Sequence, residues 1–170
     1  MDIKGSETAW IGLGSNIGDC VANLRSAARE LIMLPGHEFL KASSIYKTEP
    51  IGEGFTNNFY NAVISVRTPL PPRELLKVCL RIEAEHGRDR VASSDRVIDL
   101  DILFYGDVIL SDPFLILPHP RIADRRFVLE PLVEIAPQLI HPVFQVTLSE
   151  LLKNLGKSQR VEKLDIKAVN

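Results

Sequence analysis

Apolar positions along the chain switch between two periods, and the switches mark the elements. Thr8 to Leu13 is a short apolar run that passes through Gly12 and Gly14 toward Gly18, a strand entering a loop. Asp19 then stands where a helix cap belongs, and Val21, Leu24, Ala28 and Leu31 follow at the helical period until Pro35-Gly36 stops them. Phe39 to Tyr46 predicts a second strand, broken by Thr48-Glu49-Pro50-Ile51-Gly52, and Asn61 to Val66 predicts a third, rich in β-branched residues. Pro71-Pro72 opens a second helix with Leu75, Cys79, Ile82 and His86 on one face and Gly87 at its C-terminal cap. Val97 to Tyr105 is the strongest strand pattern, and strict alternation puts Ile98, Leu100, Ile102 and Phe104 on one face. Leu115 to Leu117 reads as a short strand, and Pro131 to Pro137 and Leu148 to Leu155 as short helices. Gly156 to Asn170, charged and irregular, reads as a loosely held tail. Two successive strand-helix-strand units predict an α+β fold, a ferredoxin-like split βαβ sandwich with an antiparallel sheet. With no repeat and no Gly/Ser linker, residues 1–170 are expected to form a single domain.

Composition narrows the class without naming a function. A 45% hydrophobic content over 170 residues supports a sizeable core and excludes disorder as the default state. Twenty Lys plus Arg against 22 Asp plus Glu argues against a protein that coats nucleic acid or a membrane by bulk charge. The longest apolar runs, such as Ile102 to Tyr105, are far shorter than the ~20 residues a membrane span needs. Asp2, Lys4 and Glu7 are unlike a signal peptide, and Cys20 and Cys79 lack metal-ligand spacing. The expectation is a cytoplasmic protein with reduced, packed cysteines, acting as a monomer without nucleic-acid or membrane partners.

Chemistry concentrates in Val97 to Phe104. If the apolar residues take one strand face, Asp99 and Asp101 share the other, side by side. Two carboxylates so placed repel unless a cation or proton relieves them, and hard oxygen ligands of this kind suit Mg²⁺. Taken alone, the pair reads more readily as a solvated strand face. Between Arg81 and Arg126, however, the basic residues are seven arginines and no lysine. Arg is the residue whose planar fork grips phosphate bidentately. Acids for a metal beside arginines for phosphate are the parts of a phosphoryl-transfer site. The bland alternative pairs the arginines with Glu83, Glu85, Asp89, Asp95 and Asp124 on the surface. Gly12 to Gly18 misses the dinucleotide-binding spacing and no Walker A sequence exists, so a nucleotide site would be built differently from a P-loop. Two other functions stay open on these residues: a non-catalytic anion- or RNA-binding module, and a two-metal phosphohydrolase.

The motifs together resemble one family, the 6-hydroxymethyl-7,8-dihydropterin pyrophosphokinases of folate biosynthesis. The resemblance rests on Gly14-Ser15-Asn16, the run from Ser43 to Gly52, Phe59-Tyr60-Asn61-Ala62-Val63 and the run from Glu83 to Arg90. It continues through Arg96 to Ile102, Leu117-Pro118-His119-Pro120-Arg121, Arg125 to Leu129 and Pro131-Leu132, in family order. It implies transfer of the β,γ-pyrophosphoryl group of ATP to the hydroxymethyl oxygen of the pterin, releasing AMP. Asp99 and Asp101 then hold two Mg²⁺ ions, with Arg88 and Arg96 beside them as catalytic residues. Glu83, Arg88, Arg90, Arg96, Ile102, His119, Arg121 and Arg125 surround ATP. Thr48, Glu49, Pro50, Ile51 and Asn61 read the edge of the pterin, and Phe59 and Phe127 sandwich its ring. The chain departs from many members in Val91-Ala92-Ser93-Ser94-Asp95, which replaces a Gly-Pro turn. A softer closure over ATP is expected there, and Asp95 is expected to offset part of the attraction of Arg96. Phe114 and Ile116 stand where some members place polar ATP contacts.

Overall fold

The computed structural model describes residues 5–50, 57–87, 95–156 and 159–170. Its elements run β1 (Glu7–Ser15), α1 (Cys20–Ile32), β2 (Glu38–Ala42), β3 (Ser44–Thr48), β4 (Phe59–Thr68), α2 (Pro72–Glu85) and β5 (Asp99–Tyr105). There follow β6 (Leu110–Ser111), β7 (Ile116–Leu117), α3 (Arg126–Ile135), α4 (Leu148–Asn154) and β8 (Val161–Lys167). The main sheet has the order β5-β1-β4-β3-β8, with β2 also on β4, and each of its pairs is antiparallel. Taking β2 and β3 as one broken strand, this is the ferredoxin-like α+β arrangement with β8 added at an edge. The predicted punctuation is in place. Ala22 N–H donates to the Asp19 carboxylate at 3.0 Å, and Gly87 takes the positive φ of +80° that ends α2.

Each sheet face carries its own core. Leu24, Ala28 and Leu31 of α1 and Leu75, Cys79 and Ile82 of α2 pack on Ile11, Leu13, Ile64 and Leu100. On the opposite face, Leu129, Leu132 and Ile135 of α3 and Leu148 of α4 pack on Val63, Leu103 and Phe104.

Four sequence expectations need correction. Phe104 does not share a face with Leu100 and Ile102. The β1–β5 register shifts between Trp10 and Ile11, and this bulge sends both Leu103 and Phe104 into the second core. The strand expected from Phe39 to Tyr46 is two strands. At Ser43 the side-chain hydroxyl accepts from Val63 N–H at 2.9 Å, replacing a ladder bond at the break. The helix expected to open at Pro131 begins at Arg126 and keeps Pro131 inside it, because Leu129, Leu132 and Ile135 bury a continuous helical stripe across the proline. Finally, the expected loose tail contains β8. This strand pairs with β3, and its lysines Lys163 and Lys167 reach the Glu134 carboxylate at 3.4 and 2.6 Å. A charged strand with one solvent-facing edge has the composition of a tail, which is why its sequence misleads.

Candidate active site

The site follows from side-chain alternation on three neighbouring strands. On β1 the positions facing α3 are Gly12 and Gly14, opposite Asp101 and Asp99 of β5 on one side and Val63 and Asn61 of β4 on the other. A central strand without side chains leaves a trough between flanking rows. A Cβ at Gly14 would stand 3.2 Å from the Asn61 Oδ1, so the trough has no room to spare there. The resulting cavity of 430 Å³ is closed by Phe127 and Val128 at the start of α3 and by Arg121, Asp124 and Arg125 before it.

Charge is distributed along the strand order. At the β5 side, Asp99 and Asp101 both line the cavity with Arg96, and the Arg96 guanidinium is ion-paired to the Asp99 carboxylate. Arg96 is itself held in place by Asn16. The Asn16 Oδ1 accepts from Arg96 N–H at 2.7 Å, its N–H donates to the Arg96 carbonyl at 3.1 Å, and its Nδ2 donates to the Asp95 carboxylate at 2.7 Å. Asp95 is therefore part of this clamp, a role beyond the expected offset of part of the attraction of Arg96. Asn16 is buried, and among the described residues its partners account for why a polar side chain can be.

His119 sits beside the acids. Its N–H donates to the Leu103 carbonyl at 2.9 Å, and its Nε2 lies 4.0 Å from Asp101 Oδ2. Its Nδ1 accepts from Arg121 N–H at 3.2 Å, which leaves the ring proton on Nε2, toward Asp101. Burial, then the nearby Arg125 and Arg121, lower its pKa, while Asp99 acts in the opposite direction.

At the β4–β3 side the lining is mostly neutral and aromatic, Thr48, Phe59, Asn61 and Phe127, with one acid among the described residues, the Glu49 carboxylate, which lies 4.0 Å from Arg160. The Asn61 Nδ2 donates to Thr48 Oγ1 at 3.3 Å, which orients the amide. Arg125 lies over the Phe127 ring, 5.7 Å from its centroid, and so joins the two ends.

Of the residues singled out in the sequence, Thr48, Glu49, Phe59, Asn61, Arg96, Asp99, Asp101, Arg121, Arg125 and Phe127 converge on this one cavity. Pro50, Glu83, Ile102 and His119 are not among the residues that line it. The Glu83 carboxylate is buried and accepts from Leu100 N–H at 2.8 Å, and the Ile102 side chain packs into the core on the opposite face. Ile51, Arg88, Arg90 and the segment 91–94 lie outside the described residues, as does the proposed softening of that loop. Asp124, the Asn16 clamp and Gln159 were missed as parts of the site. Only Asn16 had a sequence signal, its place in Gly14-Ser15-Asn16, directly after the buried end of β1.

A family model described as 7,8-dihydro-6-hydroxymethylpterin-pyrophosphokinase (HPPK) matches residues 10–137. The chain belongs to this family. Membership carries the activity: pyrophosphate transfer to the hydroxymethyl group of a dihydropterin in folate biosynthesis. The chain is 44% identical over 157 residues to a 2-amino-4-hydroxy-6-hydroxymethyldihydropteridine pyrophosphokinase of Methylorubrum extorquens, covering 91% of this chain and 98% of that one. It is 39% identical to the Folic acid synthesis protein fol1 of Pneumocystis carinii, covering 88% of this chain but 20% of that protein. Among solved structures, the wild-type HPPK-DHPS of Plasmodium falciparum aligns with a TM-score of 0.71 at 18% identity, over 87% of this chain and 41% of that one. That likeness supports the pyrophosphokinase fold.

Proposed function

We propose that ATP lies at the β5 end of the cavity and 6-hydroxymethyl-7,8-dihydropterin at the β4–β3 end, with the reacting atoms meeting over Gly12 and Gly14. The division of one cavity into a charged and a neutral half carries this reading, because a triphosphate needs cations and a flat heterocycle needs faces and edges. The pterin hydroxymethyl oxygen attacks the β-phosphorus and gives up its proton to solvent, the bond from that phosphorus to the α,β-bridging oxygen breaks, and AMP departs with the bridging oxygen. Arg96, Arg121 and Arg125 bind the transferring charge, with Arg88 and Arg90 assigned to it by family resemblance. His119 offers its Nε2 proton beside Asp101. Phe59 and Phe127 hold the ring, and Asn61, Thr48, Glu49, Pro50 and Ile51 read its edge.

Among the described residues no three His, Cys, Asp or Glu side chains group as ligands for a metal ion. Two carboxylates facing one cavity suit Mg²⁺, which takes substrate phosphate and water oxygens for its remaining positions. Asp99 and Asp101 would hold two such ions, and when bound these supply charge neutralisation on the triphosphate. Among the described residues no helix is long and apolar enough to cross a membrane, and Cys20 and Cys79 are free. We read the protein as a cytoplasmic, monomeric, single-domain enzyme working on small molecules. The test is the nucleotide product. AMP should accumulate only with both the pterin and Mg²⁺ present; inorganic phosphate released without pterin would mark a hydrolase, and no turnover a binding module.

A further inference from the structure

The neutral end of the cavity has a wall that the family match does not reach. That match ends at residue 137, whereas β8 spans Val161–Lys167. Its first residue, Val161, is paired with Thr48, the last residue of β3, and Thr48 is paired in turn with Phe59. Three strand ends therefore meet at one rim. Gln159, two residues before β8, lines the same cavity as Thr48, Phe59 and Phe127. Arg160 beside it points back to Glu49, with Nη1 and Oε1 4.0 Å apart.

The Gln159 side chain is half-buried and, among the described residues, has no hydrogen-bond partner. The Asn61 and Thr48 side chains at this end bond to each other, so Gln159 is the amide with its donor and acceptor both uncommitted. The strand that follows it is anchored at its far end, where Lys167 pairs with Ser44. Glu134 of α3 accepts from Ser44 N–H at 2.9 Å and Tyr46 Oη at 2.9 Å on β3, and from Lys167 at 2.6 Å on β8. The helix that carries Phe127 thus ties both strands of the rim into one frame.

We propose that Gln159 is a pterin-contacting specificity residue, its amide hydrogen-bonding the polar edge of the heterocycle, and that β8 serves as the strut that presents it. This rests on the placement of the pterin at the β4–β3 end. The test titrates the full-length chain, saturated with Mg²⁺ and α,β-methylene-ATP, with 6-hydroxymethyl-7,8-dihydropterin, for wild type, Gln159→Leu and Gln159→Ala. Loss of one neutral hydrogen bond should raise the pterin Kd about fivefold in both variants. Affinity for the ATP analogue, kcat at saturating pterin and the melting temperature should stay at wild-type values, a split that a structural role would not produce. Variant pterin affinities within twofold of wild type would overturn the assignment while leaving the proposed function standing. Equal losses of ATP and pterin affinity, or loss of the folded state in both variants, would overturn it as well. Wild-type protein that does not bind the pterin would overturn both readings together.

Discussion

Asp99, Asp101, Arg96 and Asn16 show how single residues divide the work. The two acids line the cavity while their strand neighbours Leu100 and Ile102 fill the core behind them. Replacing either acid by Asn removes a charge without opening a void. Asp99→Asn and Asp101→Asn should each lower turnover by several orders of magnitude with little change in melting temperature. Steady-state assays across a Mg²⁺ titration check this, and near-normal turnover at saturating Mg²⁺ would remove them as metal ligands. Asn16 acts one step back, through Arg96. Asn16→Ala leaves Arg96 N–H and the Asp95 carboxylate without this partner, a loss of about 1–3 kcal/mol in stability. Its kcat should fall further than its pterin affinity, since the arginine is misplaced while the aromatic end is untouched. Phe127→Ala should do the reverse and weaken pterin binding by about 0.5–1.5 kcal/mol beyond the area lost. Calorimetric titration with each substrate separates the two. The alternation of acids and apolar residues was legible in the sequence at this scale. The side chains of Glu83 and Ile102 point away from the cavity because strand parity and local hydrogen bonds decide which side chains enter it, and a family resemblance marks only the neighbourhood.

Among elements, β1 matters for what it lacks. Gly12 and Gly14 turn the middle strand into the floor of the site, and the crowding beside Asn61 makes Gly14→Ala a direct probe. This variant should fold and lose pterin affinity through a displaced Asn61 amide; unchanged binding would show that the trough is roomier than its backbone implies. At the far edge, α3, β3 and β8 meet at Glu134. Burial raises the Glu134 pKa, but the Lys167 ammonium, Ser44 N–H and the Tyr46 and Ser44 hydroxyls outweigh it, bringing the carboxyl to about 2. A depressed folded-state pKa stabilises the fold above the unfolded value of 4.5 and loses that contribution as pH falls toward about 2. Unfolding curves should therefore show wild-type stability dropping in that window, and Glu134→Gln should be less stable at neutral pH with a flatter acid limb. Parallel acid limbs would mean that this contact does not hold β8. None of this was visible in the sequence. The Glu134 partners lie on strands remote in the chain, and a solvent-edge strand with four charged residues in seven and only a brief Leu164-Asp165-Ile166 alternation gives little to read.

For the molecule as a whole, the sheet order sets the chemistry. Running from β5 to β8, the cavity passes from acids and arginines, over glycines, to amides and aromatics. In the proposed reading this order brings a donor with several negative charges beside a flat neutral acceptor. The two βαβ units were legible because α1 and α2 are long and strongly periodic. The bulge in β5, the break at Ser43 and the extent of α3 were not, since each is fixed by packing between distant segments. In the proposed reaction the transferred group is the whole β,γ-pyrophosphoryl unit. The most direct measurement follows radiolabel from the β- and the γ-phosphorus of ATP in parallel single-turnover reactions with the dihydropterin and Mg²⁺. Both labels should appear in the pterin product in equal yield, with AMP unlabelled; γ-label alone in the pterin, with the β-label left in ADP, would contradict the account.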